Sequence, residues 1–254
     1  MTQKRRTIRS RVGIIAAALL AISISARGAE VDYRVTEARE AAGKLKSFRI
    51  EVLPPPSGEI AQSVGVGIFT WATPYFHRME VDEPVSGLGQ LKRVTVCDGK
   101  TVWSYVPNLD GKGKQVAYKI DLEKLRANWS DAELAAHGVL LGADPFQGFA
   151  TDKIKFLEKD RADGTDCHKF EVPPPVRAGK SQTIARMVLW VGVKDGIVRE
   201  QETFAALGDR LGRRRMKVLA TDFETTAKDF AFTPPAGCEV VDVTEKVMKE
   251  LEER

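Results

Sequence analysis

Histidine and cysteine carry much of enzyme and metal chemistry, and this sequence of 254 residues contains three of each. They are His77, His137, His168, Cys97, Cys167 and Cys238. Cys167 and His168 are adjacent, but adjacent residues of a strand point to opposite faces of a sheet, so we interpret the pair as structural. An odd number of cysteines allows at most one disulfide bond, and the sequence leaves the pairing open.

The sequence also lacks the short motifs of common catalytic and metal sites. G-x-S-x-G, H-E-x-x-H and C-x-x-C, which mark hydrolases, zinc proteases and thiol redox proteins, are absent. The segments GKT at 99–101 and GKS at 179–181 resemble the end of a phosphate-binding loop. That loop needs a glycine five residues before its Gly-Lys pair, and here those positions are Val94 and Pro174. We therefore predict a protein that is not an enzyme and that needs no cofactor or metal ion.

A dense basic cluster near the C-terminus consists of Arg213, Arg214, Arg215 and Lys217. It could be a solvated hairpin end, or a docking patch for anionic lipid or an acidic partner. Residues 1–28 hold six bases and no acid, whereas residues 29–254 hold 33 bases and 35 acids. Because the positive excess is confined to the N-terminus, we predict no nucleic-acid binding.

Residues 1–28 have the three parts of a secretory signal peptide. A basic head containing Arg5 and Arg6 precedes an apolar run from Val12 to Ile22, and small residues lead to Gly28. The run is about half of the roughly 20 residues that a spanning helix requires, although an uncleaved anchor stays an alternative. We expect cleavage near Gly28, a periplasmic location, and a mature chain that does not span a membrane. A loose twin-arginine pattern leaves export in the folded state open.

Residues 29–254 predict a single domain in which strand follows strand on short turns. Runs rich in Val, Ile, Thr and aromatic residues predict strands over 48–52, 64–71, 75–81, 93–97, 101–106, 116–120, 154–158, 168–172, 183–193, 198–204 and 213–223. Helical spacing appears over 32–46, 121–128 and 130–141, and an amphipathic C-terminal helix begins at Val243. This order predicts an α+β fold, with an antiparallel sheet that curls into a partial or closed barrel and helices at one face or end.

Four segments share one pattern in their order and spacing. They are GIFTWATPYFHRM at 67–79, VTVCDGKTVWSYVP at 94–107, LWV at 189–191 with Asp195-Gly196, and FAFTPPAG at 230–237. Together they resemble the LolA/LolB-like superfamily of periplasmic lipoprotein carriers, which includes a sensor branch of the envelope-stress type. The resemblance runs over about residues 35–245.

The resemblance implies a strongly curved antiparallel sheet, an incomplete β-barrel, with helices covering its concave opening. An apolar cavity then holds the acyl chains of a lipoprotein, and the helices open to release them. Carriers of this family place an arginine immediately before the proline of the first segment, where it helps to hold the lid closed. Here that position is Thr73, so the usual gating contact lacks its arginine.

Alternation places Phe69 and Trp71 on one face of their strand, which we predict to be the concave one. Met79 of the next strand has the same parity and should join them. Trp103 and Tyr105 are further candidates for the cavity. The alternative for all five residues is ordinary core packing.

The leading hypothesis is an exported, non-catalytic carrier that moves lipoprotein acyl chains or another lipid toward the outer membrane. Inner- and outer-membrane proteins would then be its partners. The alternative is an envelope sensor or scaffold of the same fold that binds a protein partner, a role that the basic cluster would suit.

Overall fold

The computed structural model describes residues 33–54, 65–85, 89–107, 113–174 and 184–253. The predicted signal peptide and the segment at 179–181 lie outside these residues. One sheet dominates the described part of the chain, and helices lie against one of its faces.

Among the described residues, the sheet has twelve strands. They are β1 (Ser47–Leu53), β2 (Val66–Ala72), β3 (Phe76–Val85), β4 (Gly89–Cys97), β5 (Thr101–Val106), β6 (Val116–Asp121), β7 (Lys155–Ala162), β8 (Thr165–Val172), β9 (Arg186–Gly192), β10 (Val198–Phe204), β11 (Arg210–Thr221) and β12 (Glu239–Asp242). Their order is β12-β6-β5-β4-β3-β2-β1-β11-β10-β9-β8-β7. Since β12 and β7 stand at opposite ends of this order, the sheet does not close, and the predicted incomplete barrel is confirmed. All neighbours are antiparallel except β12, which pairs with β6 in parallel.

The helices are α1 (residues 33–43), α2 (Leu122–Arg126), α3 (Asp131–Ala136) and α4 (Thr244–Glu252). Helix α3 is shorter than the predicted 130–141. It opens with the expected capping box of Ser130 and Glu133, but Gly138 ends it in the left-handed region at φ 62°. The Gly138 N–H donates to the Ala135 carbonyl and the Val139 N–H to the Leu134 carbonyl, the two bonds of a Schellman motif. Residues 137–150 then cross the sheet as an irregular stretch, which we call the cover segment.

Three apolar clusters fill the concave side of the sheet. Val35 and Ala38 of α1 pack with strands β8 and β9, and α2, α3 and α4 pack together over β4 and β5. Between them, Phe48, Ile50, Trp71 and Met216 form a central cluster from β1, β2 and β11. Helix α1 lies so close to the β9–β10 turn that a Cβ on Gly196 would overlap backbone atoms of Ala38 and Ala42.

The convex side is covered over part of its area by the chain that follows β11. Phe230 packs with Ala72, Val94 and Val96, and Phe232 joins them at the edge of the cluster. This second layer buries the apolar side chains of Val94 and Val96 that β4 presents on the convex face.

Candidate functional site

A cavity of about 850 Å³ lies between the concave face and the cover segment. Its floor is formed by Phe48 and Ile50 of β1, Phe69 of β2, Leu189 of β9 and Met216 of β11. Its roof includes Leu141, Ala143, Pro145 and Phe149 of the cover segment. The volume falls in the range of pockets that enclose small organic ligands, and the lining is largely apolar.

Strand register explains how distant residues meet on this floor. Phe48 is opposite Trp71, and Ile50 is opposite Phe69, so both pairs share a face. On the other side of β1, Val52 is opposite Met216. Because side chains alternate along each strand, these pairings place Ile50, Phe69 and Met216 on the same, concave face.

The side chain of Gln147 connects the second half of the cover segment to its first half and to α3. Its Oε1 accepts from the Gly142 N–H at 2.5 Å, and its Nε2 donates to the carbonyls of Ala135 and Leu140 at 2.7 and 2.5 Å. Trp71 connects this segment to the sheet, since its Nε1 donates to the Leu141 carbonyl at 2.9 Å. The cover segment is thus held by polar contacts to backbone atoms as well as by packing.

An arginine also holds the cover segment. It belongs to α1, whereas the resemblance implied an arginine at position 73, directly after β2. Arg39 of α1 donates through Nε to Asp144 at 3.1 Å and through Nη2 to the Thr151 hydroxyl at 3.1 Å. Thr73, where the resemblance implied an arginine, lies with Arg39 along a second cavity of about 780 Å³ that shares part of the cover segment with the first. Arg78 faces the convex side, where it donates to the Ala231 carbonyl.

Three of the predicted cavity residues, Phe69, Trp71 and Met79, lie on the concave face, but only Phe69 lines the first cavity. Phe69 lines the cavity. Trp71 is 4% exposed, stacks on Phe48 with ring centroids 5.3 Å apart, and lines the second cavity. Met79 is opposite Phe69 in the sheet but lines neither cavity.

The prediction that Trp103 and Tyr105 line the cavity is wrong, because both residues lie on the convex face. Trp103 is opposite Val96 and Tyr105 is opposite Val94, and both rings lie within 6 Å of Phe232, at 5.8 and 5.9 Å between centroids. The turn after Cys97 sets a register in which Val102 and Ser104 point to the concave side instead. We therefore remove both aromatic residues from the set of cavity residues.

The basic cluster is also not a single patch, because alternation along β11 divides it between the two faces. Arg213 points to the convex side, where its Nε donates to the buried carboxylate of Glu200 at 2.6 Å. Arg215 and Lys217 follow on the same face, and Arg215 donates to the Pro54 carbonyl at 3.4 Å. Arg214 alone among the four points to the concave side, opposite Gln201.

A third, smaller cavity of about 410 Å³ separates the sheet from α4, and His77 and Glu250 are among its lining residues. His77 is 1% exposed, and burial lowers the pKa of its imidazole to about 4 although a hydrogen bond to the Tyr75 carbonyl opposes the shift. Within the described ranges, no three His, Cys, Asp or Glu side chains come together as a metal ion would require.

No protein-family model matches the chain, and no curated protein sequence matches it. Solved structures of similar fold include an uncharacterized conserved protein from Thermus thermophilus, which is 12% identical with a TM-score of 0.48 over 83% of this chain and 97% of that one. A LolA superfamily protein from Nitrosomonas europaea is 14% identical, with a TM-score of 0.34 over 78% and 98% of the two chains. Mycobacterium tuberculosis lipoprotein LppX is 11% identical, with a TM-score of 0.40 over 77% and 97%.

At these identities the likeness is one of fold. The architecture itself, an open sheet with helices on its concave side, is the one that the resemblance implied. None of the helices among the described residues is long and apolar enough to span a membrane.

Proposed function

We propose that this chain is an exported, non-catalytic carrier that binds acyl chains of lipoproteins, or of another lipid, and carries them across the periplasm toward the outer membrane. The supporting observation is the cavity of about 850 Å³ between the concave face and the cover segment. Its floor is made of apolar side chains from four strands, and its roof is a segment without regular secondary structure that can move without breaking the sheet.

The energetics favour an acyl chain as the occupant. Each methylene group that leaves water for an apolar environment contributes about 0.8 kcal/mol. The rings of Phe48 and Phe69 and the thioether of Met216 offer no strong hydrogen-bond donor or acceptor, so a polar ligand would lose its hydrogen bonds to water on this floor. An elongated hydrocarbon meets no such cost.

The test is native mass spectrometry with organic extraction of the mature chain (from Ala29) purified from an envelope fraction, followed by titration with a fluorescent fatty acid. We expect a lipid or acylated peptide at about one per chain, because the cavity is enclosed on its floor and its roof. A clean apo mass without uptake of the fatty acid would reject the carrier and favour the sensor or scaffold.

Two neighbouring residues of β2 provide a matched pair for the same titration. Phe69 lines the cavity, whereas Ile68 points to the convex face and is 37% exposed. Phe69→Gln should weaken fatty-acid binding about tenfold, since about 1.4 kcal/mol of apolar contact is lost. Ile68→Gln should bind as the unmodified protein does. Equal weakening by both variants would place the ligand elsewhere.

A further inference from the structure

The third cavity adjoins the first along the concave face of the sheet. Gly138 and Leu141 of the cover segment line both cavities, so the two share part of their roof. On the floor, Phe69 of the first cavity and His77 of the third are neighbours, with ring centroids 6.3 Å apart. The space over β1 and β2 therefore borders the space over β3 to β6, and Leu141 stands between them.

The side chain of Leu141 is the part of this border that can change most easily. Its backbone carbonyl accepts a hydrogen bond from the Trp71 Nε1 at 2.9 Å, which fixes the main chain at this position. The isobutyl group is only partly buried and can change rotamer, because leucine has several staggered conformations. A hydrocarbon chain that fills the first cavity can thus pass Leu141 without displacing the cover segment.

The lining of the third cavity suits the end of a hydrocarbon chain. Apolar side chains from the sheet, the cover segment and α4 form most of it, namely Val102, Ile120, Val139, Val247 and Leu251. Of the described residues that line it, Glu250 alone is charged at neutral pH, because burial lowers the pKa of His77 to about 4. A carboxylate or phosphate head group would be repelled by the Glu250 carboxylate. The third cavity therefore favours the uncharged end of an amphiphile.

We propose that the third cavity is a second part of the acyl-chain site, which takes the methyl end of a long chain whose remainder lies in the first cavity. Leu141 then separates the part that short chains fill from the part that only long chains reach. Each methylene group that enters should raise the affinity about fourfold, which corresponds to about 0.8 kcal/mol. This inference rests on the proposed carrier function and narrows its ligand to long acyl chains.

The test is a series of saturated fatty acids from decanoate to eicosanoate, measured by displacement of a fluorescent apolar probe. Affinity for the unmodified protein should rise with chain length to the end of the series. Val247→Phe places a ring in the third cavity from the side of α4, so the rise should stop at a shorter chain. Eicosanoate should then bind at least tenfold more weakly than it does to the unmodified protein, whereas decanoate should bind equally well.

Lys249→Phe is the matched control, since Lys249 is exposed on the same helix and does not line the third cavity. It should keep the full rise of affinity with chain length. Thr95→Phe fills the third cavity from β4 instead, and it should shorten the rise as Val247→Phe does. Thermal unfolding checks that each variant is folded.

Photolabelling locates the chain in the unmodified protein. Eicosanoate with a diazirine at its methyl end should label α4, and the same acid with a diazirine beside its carboxylate should not. The same chain-length dependence in Val247→Phe as in the unmodified protein, or no labelling of α4 from the methyl end, would overturn the inference while leaving the carrier intact. Failure of every fatty acid to bind would overturn the carrier function and this inference together.

Discussion

His77 is a basic side chain that the fold keeps almost completely away from water. Burial lowers the pKa of its imidazole from 6.5 to about 4. Between these pH values the ring is therefore mostly neutral in the folded protein and mostly protonated in the unfolded chain. As the pH falls from about 6.5 to 4, the unfolded state gains this proton first, and the free energy of unfolding decreases. The shift corresponds to about 3 kcal/mol over that interval.

We predict that His77→Gln reduces the loss of stability between pH 7 and pH 4.5, because the residue that titrates differently in the two states is gone. Urea unfolding at several pH values measures the slope of the free energy of unfolding against pH. His168 keeps some slope in the variant, since burial lowers its pKa as well. An unchanged slope in His77→Gln would show that another group causes the pH dependence.

Residue types alone could predict part of the candidate site. Phe69 and Trp71 belong to one strand, so their shared face follows from alternation without any knowledge of the fold. Trp103 and Tyr105 are on another strand, and their face depends on the register across β3, β4 and β5. A shift of register by one residue reverses the face of every side chain, and the sequence pattern does not specify that register closely enough. The same limit applies to Arg214, whose separation from Arg213 and Arg215 needs the pairing with β10.

At the scale of elements, the cover segment is the part of the fold that periodicity could not predict. Its residues form neither a helix nor a strand. The side chain of Gln147 holds it through hydrogen bonds to Ala135, Leu140 and Gly142, beside the contacts of Trp71 and Arg39. Such contacts depend on the path of the backbone, which has no periodic signature. The strands and the capping box of α3, in contrast, follow from local patterns, and most of them are where the sequence predicts them.

We predict that Gln147→Ala loosens the cover segment without unfolding the sheet. The variant leaves two carbonyls and one N–H at the segment without their side-chain partner, and each lost bond of this kind costs about 1 kcal/mol. Hydrogen exchange of residues 137–150 should be faster by about tenfold or more, and a bound fluorescent fatty acid should dissociate faster.

Gln115→Ala is the control for this effect. Its Oε1 accepts from the Tyr105 hydroxyl at 3.2 Å, near the convex face and away from the cover segment. Exchange over 137–150 should be unchanged in that variant. If Gln147→Ala also leaves this exchange unchanged, packing rather than the amide holds the segment.

In the whole molecule, one continuous sheet contains two halves, and both contribute residues to the cavity. Strands β1–β6 and β7–β11 meet where β1 pairs with β11. The edge strand β7 is rich in charged residues, including Lys155, Glu158 and Lys159, which oppose pairing with another sheet. The cavity draws its floor from both halves, with Phe69 from one and Leu189 from the other. A ligand should therefore stabilise both halves together.

The cysteines allow this coupling to be measured, because they are unpaired and differ in burial. Cys97 on β4 and Cys167 on β8 are 0% and 1% exposed and belong to different halves, whereas Cys238 is partly exposed. Burial raises the pKa of the Cys97 thiol to about 11, and the thiolate is the reactive form. We predict that a thiol reagent labels Cys238 rapidly in the native protein, and that Cys97 and Cys167 react slowly and with the same rate constant, through global unfolding.

Cys238→Ser should remove the fast reaction and leave the two slow ones as they are. Saturation with a fatty acid should slow Cys97 and Cys167 by the same factor, because a ligand at about a hundred times its dissociation constant stabilises the folded state by about 2.7 kcal/mol. Mass spectrometry of the labelled peptides separates the two sites. Faster labelling of one buried cysteine than of the other would show that the halves open independently, and the ligand would then protect only the half that it contacts more strongly.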